Sequence, residues 1–260
     1  MSTSPQQKSK APLLIILVVA VVGIGAALWF YGSSKTATKP PANSNSTPST
    51  AKGSVIPPDA PPGAQPPNET GSPNAAVTLE EFADFQCGSC AAAHPTMDEI
   101  KSMYGTRIHF IFRNYPLKIP AHDKSFDAAV AAEAAGSQGK FWEMNNMLFT
   151  HQQDWTKAPN FREIWKGYAQ TIGLNVPKWE TDINGIAARG RVNADLERGN
   201  ASSINSTPSL FINGTLVPMA SMTVDGIKAL IDAELQKAGG RNAQQPGGES
   251  KPAGETNATK

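Results

Sequence analysis

The two cysteines of the chain, Cys87 and Cys90, are separated by two residues in the stretch FADFQCGSCAAAHP. A strand-like pattern precedes them and an alanine-rich, helix-like pattern follows, which predicts that they lie at the first turn of a helix behind a strand. Backbone N–H groups and the positive end of the helix dipole favour a negative charge there and would lower the pKa of Cys87. Cys90 lies one turn further on. The spacing therefore predicts a pair that cycles between dithiol and disulfide.

Three other interpretations of this pair remain open. A structural disulfide usually joins distant segments, and one across two residues would constrain little of the unfolded chain. A structural zinc site would need two further ligands. The candidates for those ligands are His94, His109, His122 and His151. Two idle thiols in an oxidising compartment are the third alternative, and the redox interpretation is favoured over all three.

Glu81 lies in the strand-like stretch of residues 77–85 that precedes the cysteines. Strand alternation places it on one face with Val77, Leu79, Ala83 and Phe85. A buried carboxyl group without a cationic partner has a raised pKa, so Glu81 is a candidate proton acceptor or donor for Cys90. The alternative is a phase error of one residue, which would leave Glu81 exposed and Glu80 buried.

The elements that position these residues follow the order strand, helix, strand, several helices, hairpin, helix. The second strand is predicted over residues 107–113. Helical patterns then cover residues 126–133, 141–149, 161–172 and 179–196. A hairpin over residues 209–217 turns at Asn213-Gly214, which suits a type I′ turn, and Thr223 caps the last helix. This order predicts a mixed sheet flanked by helices.

The N-terminal part of the chain contains an uncharged apolar run over residues 13–31. It is long enough to cross a hydrocarbon core of about 30 Å as a helix, and it ends in aromatic residues of the types found at membrane interfaces. Lys8 and Lys10 precede it, which favours a cytoplasmic location for residues 1–12. A cleaved signal peptide is the alternative, but its apolar core would be shorter and would end at a small-residue cleavage site.

Composition divides the rest of the chain. Residues 32–74 and 239–260 are rich in small and polar residues and poor in large apolar ones, so a disordered linker and a disordered tail are predicted. Residues 75–238 have the size of one domain. The net charge of +1 and the absence of a basic cluster give no support to nucleic-acid binding.

The stretches EFADFQCGSCAAAHP and STPSLFINGTLV together resemble the DsbA-like branch of the thioredoxin-fold proteins, the membrane-tethered, extracytoplasmic thiol–disulfide oxidoreductases of bacteria. The resemblance covers residues 75–238. It implies an α/β thioredoxin fold with a helical insertion over roughly residues 120–203, behind the predicted transmembrane helix and linker. It also implies no cofactor beyond a Cys87–Cys90 disulfide, and no metal.

The resemblance assigns roles to five residues. Cys87 would be the exposed nucleophile that forms a mixed disulfide with a client protein, and Cys90 the buried partner that resolves it. Thr207 and Pro208 match the loop with a cis proline, where a client peptide pairs through its main chain. Glu81 matches the acidic residue that precedes the active site in this family.

Three further residues are candidates for tuning the redox pair. Gly88 and Ser89 differ from the Pro-His of DsbA and the Gly-Pro of thioredoxin, which leaves the direction of electron flow open. The Ser89 hydroxyl could donate a hydrogen bond to the Cys87 sulfur and favour the thiolate. His94, one turn beyond Cys90, could tune either thiol, although a histidine satisfied within the helix is the preferred interpretation.

We therefore expect an oxidase of exported proteins, anchored in the cell membrane by a single pass with its catalytic domain outside. Its partners would be exported clients with free thiols or disulfides and a membrane redox protein, either a quinone-linked oxidase or a thiol carrier. A reductase or isomerase would use the same site. The alternative from another class is a thioredoxin-like chaperone or metal carrier that holds a soft ion such as Cu(I).

Overall fold

The computed structural model of the protein describes residues 55–244. The predicted cytoplasmic segment 1–12 and transmembrane anchor 13–31 lie outside the described residues. No helix within residues 55–244 combines the length and apolar character that crossing a membrane requires.

A five-stranded mixed sheet lies at the centre of the fold. Its strands, in chain order, are β1 (Asn68–Gly71), β2 (Thr78–Ala83), β3 (His109–Asn114), β4 (Ser209–Ile212) and β5 (Thr215–Leu216). Their spatial order is β1-β3-β2-β4-β5, and β2 and β3 are parallel while the other neighbours are antiparallel. The middle strand is therefore β2, which leads directly into the cysteine segment.

The helices confirm an α/β architecture with a helical insertion. They are α1 (Gly88–Tyr104), α2 (Ser125–Gly136), α3 (Phe141–Thr150), α4 (Gln152–Trp155), α5 (Phe161–Thr171), α6 (Val176–Asn184), α7 (Ile186–Ala201) and α8 (Val224–Gln244). Helices α2 to α7 form the insertion between β3 and β4. The helix predicted over residues 179–196 is two helices, because the backbone of Gly185 is extended. Helix α8 continues to Gln244, beyond the predicted start of the tail at Gly239.

The predicted hairpin and helix cap are confirmed. Asn213 and Gly214 both have positive φ angles, 48° and 77°, as a type I′ turn requires. The hydroxyl of Thr223 accepts a hydrogen bond from the backbone N–H of Gly226 at 3.1 Å, at the start of α8. The local signals for these two features lie within a few residues of each other in the chain, so sequence alone predicts them.

Aromatic packing connects the end of β2 to the insertion. The Phe85 ring lies 4.7 Å from the Phe149 ring of α3 and 5.7 Å from the Phe112 ring of β3, measured between centroids. On the other face of the sheet, Phe82 packs edge-on against Tyr115 at 6.1 Å. Helix α7 passes so close to Tyr115 that a Cβ atom at Gly199 would lie 2.4 Å from its ring, which explains the glycine.

The segment from residue 55 to residue 74 was predicted to be linker, and the structure instead packs it against the domain. Strand β1 pairs with β3. Arg113 donates to the carbonyls of Pro62 and Ala64 at 2.9 and 3.1 Å, and Asp195 accepts from the Ala64 N–H at 2.9 Å. The segment is therefore held by hydrogen bonds between its backbone and buried charged side chains. Composition shows only that the segment has few large apolar residues, so it could not predict these bonds.

The two neighbouring glutamates of β2 are both buried, on opposite faces of the sheet. The burial predicted for Glu81 is confirmed, and the alternative of an exposed Glu81 is wrong. Glu80 is buried as well, because Arg113 and Arg198 each donate to its carboxylate at 2.6 Å. Arg113 also contacts Asp195 at 3.1 Å, so the buried charges on this face form one network.

Replacing Asp195 tests this network. Asp195 is fully buried and accepts hydrogen bonds from Arg113 and from two backbone N–H groups. Asp195→Ala leaves those donors unpaired, so we expect a loss of about 3 to 5 kcal/mol in the free energy of unfolding, measured with urea. Asp182→Ala removes a carboxylate that pairs with Lys178 near the surface and should cost less than about 1 kcal/mol. Equal losses in the two variants would contradict this account of the network.

Candidate active site

Cys87 is the residue that caps the N-terminus of α1. Its backbone is extended, with φ −71° and ψ 117°, and no side chain caps the helix. The Cys87 carbonyl accepts a hydrogen bond from the Ala91 N–H at 3.1 Å, which begins the helical ladder. The first N–H groups of the helix therefore have no partner within the helix and are available to a negative charge on the Cys87 sulfur.

Contacts around the Cys87 sulfur lower its pKa to about 5. The largest cause is a hydrogen bond from the Cys90 thiol, and the Thr207 side chain and the backbone N–H groups of Cys90 and Ser89 add to it against the opposing effect of burial. The Thr207 hydroxyl has no other hydrogen-bond partner within residues 55–244, so it is free to donate to a thiolate at Cys87. Cys87 is therefore ionised at neutral pH when the pair is reduced.

Cys90 has the opposite character. It is 1% exposed, and burial raises its pKa far above the ordinary range, with a further contribution from the adjacent Cys87. Cys90 consequently keeps its proton and donates a hydrogen bond to the Cys87 thiolate. This asymmetry gives the two thiols different chemistry although both belong to the same turn.

Thr207 and Pro208 lie beside the cysteines, as expected. The peptide bond between them is cis, and the Cys87 sulfur lies 3.3 Å from the Thr207 carbonyl oxygen, to which it donates when it is a protonated thiol. Cys87 is only 8% exposed, which is less than the exposed nucleophile that the resemblance implied. The reason is that its sulfur packs against the loop before β4. The structure therefore brings Cys87, Cys90 and Thr207 together.

The candidate tuning residues are placed differently from one another. Gly88 and Ser89 form the exposed first turn of α1. Ser89 acts on the Cys87 thiolate through its backbone N–H, and not through the hydroxyl that the sequence predicts. His94 is buried, with Nε2 3.2 Å from Asn146 Oδ1 and 3.4 Å from Asp98 Oδ2. The ring nitrogen of His94 is thus paired with polar groups outside the cysteine pair. A role for His94 in tuning the thiols stays a prediction.

Glu81 lies on the face of β2 that is turned towards α1. Burial raises its pKa to about 7, and the two charges that act on it, Lys101 and Asp98, both belong to α1. Lys101 lowers the pKa and Asp98 raises it, so burial decides the outcome. Glu81 can therefore hold or release a proton near neutral pH, on the side of the sheet where the helix carries the cysteines.

Sequence reasoning missed several polar residues around the cysteine turn. The side-chain amide of Gln152 donates to the carbonyl oxygens of Phe85 and Cys87 at 2.8 and 3.0 Å. Asp84 is buried and pairs with His122, with 2.6 Å between Oδ2 and Nδ1. Gln152 lies in the four-residue helix α4, too short to show periodicity, and its partners are distant in the chain. A polar Asp84 within an apolar strand pattern was the one available signal.

The four histidines that are candidate zinc ligands each lie near a carboxylate. The pairs are His94 with Asp98, His109 with Glu69, His122 with Asp84, and His151 with Asp154. Across residues 55–244, no three His, Cys, Asp or Glu side chains are grouped closely enough to hold a metal ion.

Comparisons with known proteins agree with this geometry. A thioredoxin family model matches residues 65–233, which is more than half of the chain. The structure is similar to that of oxidised BdbD from Bacillus subtilis, with a TM-score of 0.59 and 22% identity over 68% of this chain and 99% of that one. It is also similar to the thiol-disulfide exchange protein α-DsbA2 from Wolbachia pipientis, with a TM-score of 0.55 and 21% identity over 64% and 86%. At these identities the likeness shows the fold, and it confirms the predicted thioredoxin fold.

Curated relatives of higher identity are much longer proteins. The chain is 38% identical over 146 residues to the Na⁺/H⁺ antiporter NhaA 1 of Mycolicibacterium gilvum, covering 55% of this chain and 23% of that protein. It is 32% identical over 175 residues to NhaA 3 of Salinispora tropica, covering 66% and 26%. The chain thus spans about a quarter of the length of these relatives, and the similarity concerns that part of them only.

Titration of the reduced protein tests the Cys87 environment. Thiolate absorbance in the far ultraviolet should appear with a midpoint near pH 5. Thr207→Val removes the hydroxyl that is free to donate to the thiolate, so this midpoint should rise. Thr215→Val, at an exposed position in β5, is the matched control and should leave it unchanged. A wild-type midpoint near the ordinary cysteine value of about 8.5 would contradict the assignment.

The pH dependence of stability tests Glu81. Its pKa rises from 4.5 to about 7 on folding, so the folded state binds a proton more tightly than the unfolded state in this window. The stability from this group is fully present below pH 4.5 and is lost as the pH rises through about 7. Glu81→Gln in the oxidised protein should remove that slope and raise stability at pH 8 by up to about 3 kcal/mol. Glu180→Gln, at an exposed site, should keep the wild-type dependence of the free energy of unfolding on pH. If the curve for Glu81→Gln runs parallel to that of the wild type, the account is refuted.

Proposed function

The chain belongs to the thioredoxin family and has a DsbA-like fold, and on this basis we propose that it is a thiol–disulfide oxidoreductase that introduces disulfides into exported proteins. Its redox group would be the Cys87–Cys90 pair, without a further cofactor. The observation that carries the proposal is the environment that favours a Cys87 thiolate. Na⁺/H⁺ antiport is named for the longer relatives and forms no part of the proposal.

The thiolate is the feature that supports the oxidising direction of the reaction. It exists only in the reduced protein, so each contact that favours it stabilises the dithiol state relative to the disulfide. A Cys87 pKa of about 5 means that this stabilisation is present at neutral pH. The disulfide is then a strong oxidant, because its reduction releases that free energy. A weaker stabilisation of the thiolate would make the disulfide a weaker oxidant and would favour a reductase.

The proposed reaction transfers two electrons from the client to the enzyme. A client thiolate attacks the Cys87 sulfur of the disulfide, a client–Cys87 bond forms, and the Cys87–Cys90 bond breaks with its electron pair on Cys90. Cys90 takes up a proton, because burial strongly disfavours its thiolate. Glu81, with its pKa near 7, is the proposed donor of that proton. A second client thiolate then attacks the client sulfur, the client disulfide forms, and Cys87 leaves as the stabilised thiolate.

Client docking is proposed at the loop that faces the cysteines. The Thr207 carbonyl lies 3.3 Å from the Cys87 sulfur, so a peptide that presents its thiol to Cys87 must pass beside Thr207 and Pro208. Main-chain pairing there would hold clients of varied sequence, since it does not depend on their side chains. This is the recognition that a general oxidase of exported proteins needs.

Partners and location belong to the same proposal. The enzyme returns to the disulfide form only if an oxidant accepts its two electrons, and a quinone-linked membrane oxidase fits a protein that residues 13–31 would anchor in the cell membrane. The catalytic domain would lie on the extracytoplasmic side. With a thiol carrier as its partner, the same site would work as a reductase or isomerase.

Exchange with a two-cysteine client peptide tests the function. The oxidised protein should convert the reduced peptide to its disulfide in a stoichiometric reaction. Cys90→Ser, mixed with the oxidised peptide, should accumulate a mixed disulfide through Cys87, because the resolving thiol is missing. Cys87→Ser is the control and should form none, since the remaining Cys90 thiol is buried and protonated. The oxidase proposal fails if the reduced protein opens the peptide disulfide more completely than the oxidised protein forms it.

A further inference from the structure

One buried side chain of the insertion is bonded directly to the cysteine turn. Gln152 is 6% exposed, and its Nε2 atom donates to the Phe85 carbonyl at 2.8 Å and to the Cys87 carbonyl at 3.0 Å. A primary amide has two N–H donors, so these two bonds use its full donor capacity. The side chain therefore ties together the two residues on either side of Gln86, immediately before α1.

The bonds of Gln152 act on the part of the backbone that surrounds the sulfur. The Cys87 carbonyl also accepts the first helical hydrogen bond from Ala91, so its direction is held from two sides. A peptide unit is planar, which means that a fixed Cys87 carbonyl also fixes the plane in which the chain enters α1. The N–H groups of Ser89 and Cys90 that favour the thiolate follow in the next peptide units.

The helix that carries Gln152 is itself anchored. Trp155 of α4 is fully buried, and its indole N–H donates to the Leu148 carbonyl of α3 at 2.9 Å. Its ring lies 5.1 Å from that of Trp165 in α5. Gln152 thus extends from a rigidly packed corner of the insertion to a turn at the end of the sheet.

We propose that Gln152 is a positioning residue for the redox pair: its amide holds the Phe85–Cys87 turn in the orientation that directs the first-turn N–H groups of α1 at the Cys87 thiolate. The inference rests on the proposed function. It gives the helical insertion a part in setting how oxidising the disulfide is, in addition to its packing role.

Gln152→Met provides the first test, because methionine has a similar length and no donor. The full-length protein is equilibrated with reduced and oxidised glutathione, and the fractions of dithiol and disulfide give the equilibrium constant. We expect the dithiol to be less favoured by about 3- to 10-fold, the effect of roughly one hydrogen bond. The midpoint of the thiolate titration should rise in the same variant.

Two further variants separate positioning from packing. Gln138→Met is the matched control, because Gln138 also makes two backbone hydrogen bonds, both to Asn175 within the insertion at 2.9 and 3.3 Å. It should leave the glutathione equilibrium unchanged. Gln152→Glu keeps the shape, loses the donors and adds a negative charge near Cys87, so it should shift the equilibrium in the same direction as Gln152→Met and further.

The results separate failure of the positioning role of Gln152 from failure of the proposed function. If both Gln152 variants shift the equilibrium no more than Gln138→Met, and lower the stability of the two redox states equally, Gln152 is a packing residue and the inference is wrong. If the wild-type protein does not exchange with glutathione, the proposed function fails. The thiolate titration alone then decides the inference: an unchanged midpoint in the Gln152 variants overturns it, and a raised midpoint supports it.

Discussion

The reactivity of this protein depends on one interaction, the stabilisation of a negative charge on Cys87 at the start of α1. Separate parts of the chain contribute to it. The end of β2 delivers the cysteine, and the Thr207 side chain in the loop before β4 lowers the pKa of Cys87. From the insertion, Gln152 donates to the Cys87 carbonyl, the contact that we propose positions the turn. The hydrogen bond from the Cys90 thiol, within the turn, is the largest cause of the lowered Cys87 pKa. The lowered pKa of Cys87 therefore depends on contacts from the cysteine turn and from the loop before β4.

The central strand keeps two buried carboxyl groups in different states. Burial raises the pKa of Glu80, but hydrogen bonds and charges from Arg198 and Arg113 outweigh it and bring the pKa below its ordinary value. Glu81 faces the cysteine helix, no arginine within residues 55–244 acts on it, and burial raises its pKa to about 7. These neighbouring residues lie on opposite faces of β2. Glu80 therefore stays charged within its network, and Glu81 is able to exchange a proton.

Local signals in the sequence predicted the cysteine turn, the strands before and after it, and the hairpin at Asn213-Gly214. Resemblance to a known family supplied the place of Thr207 and Pro208. Contacts between distant parts of the chain were beyond sequence reasoning, because no periodicity encodes them. Gln152 meets Cys87 across 65 positions of the chain. Composition led to the wrong prediction at residues 55–74, which were expected to belong to a disordered linker. This proline-rich segment is instead held against the domain by hydrogen bonds to Arg113 and Asp195.

The reduction potential of the Cys87–Cys90 pair tests the central claim most directly, since it reports how strongly the folded protein stabilises the dithiol with its thiolate. It is obtained by equilibrating the protein in glutathione buffers and trapping the free thiols. The stabilised thiolate predicts a value close to that of strongly oxidising family members, about −120 mV. A value near about −270 mV, in the range of thioredoxin, would contradict it and indicate a reductase.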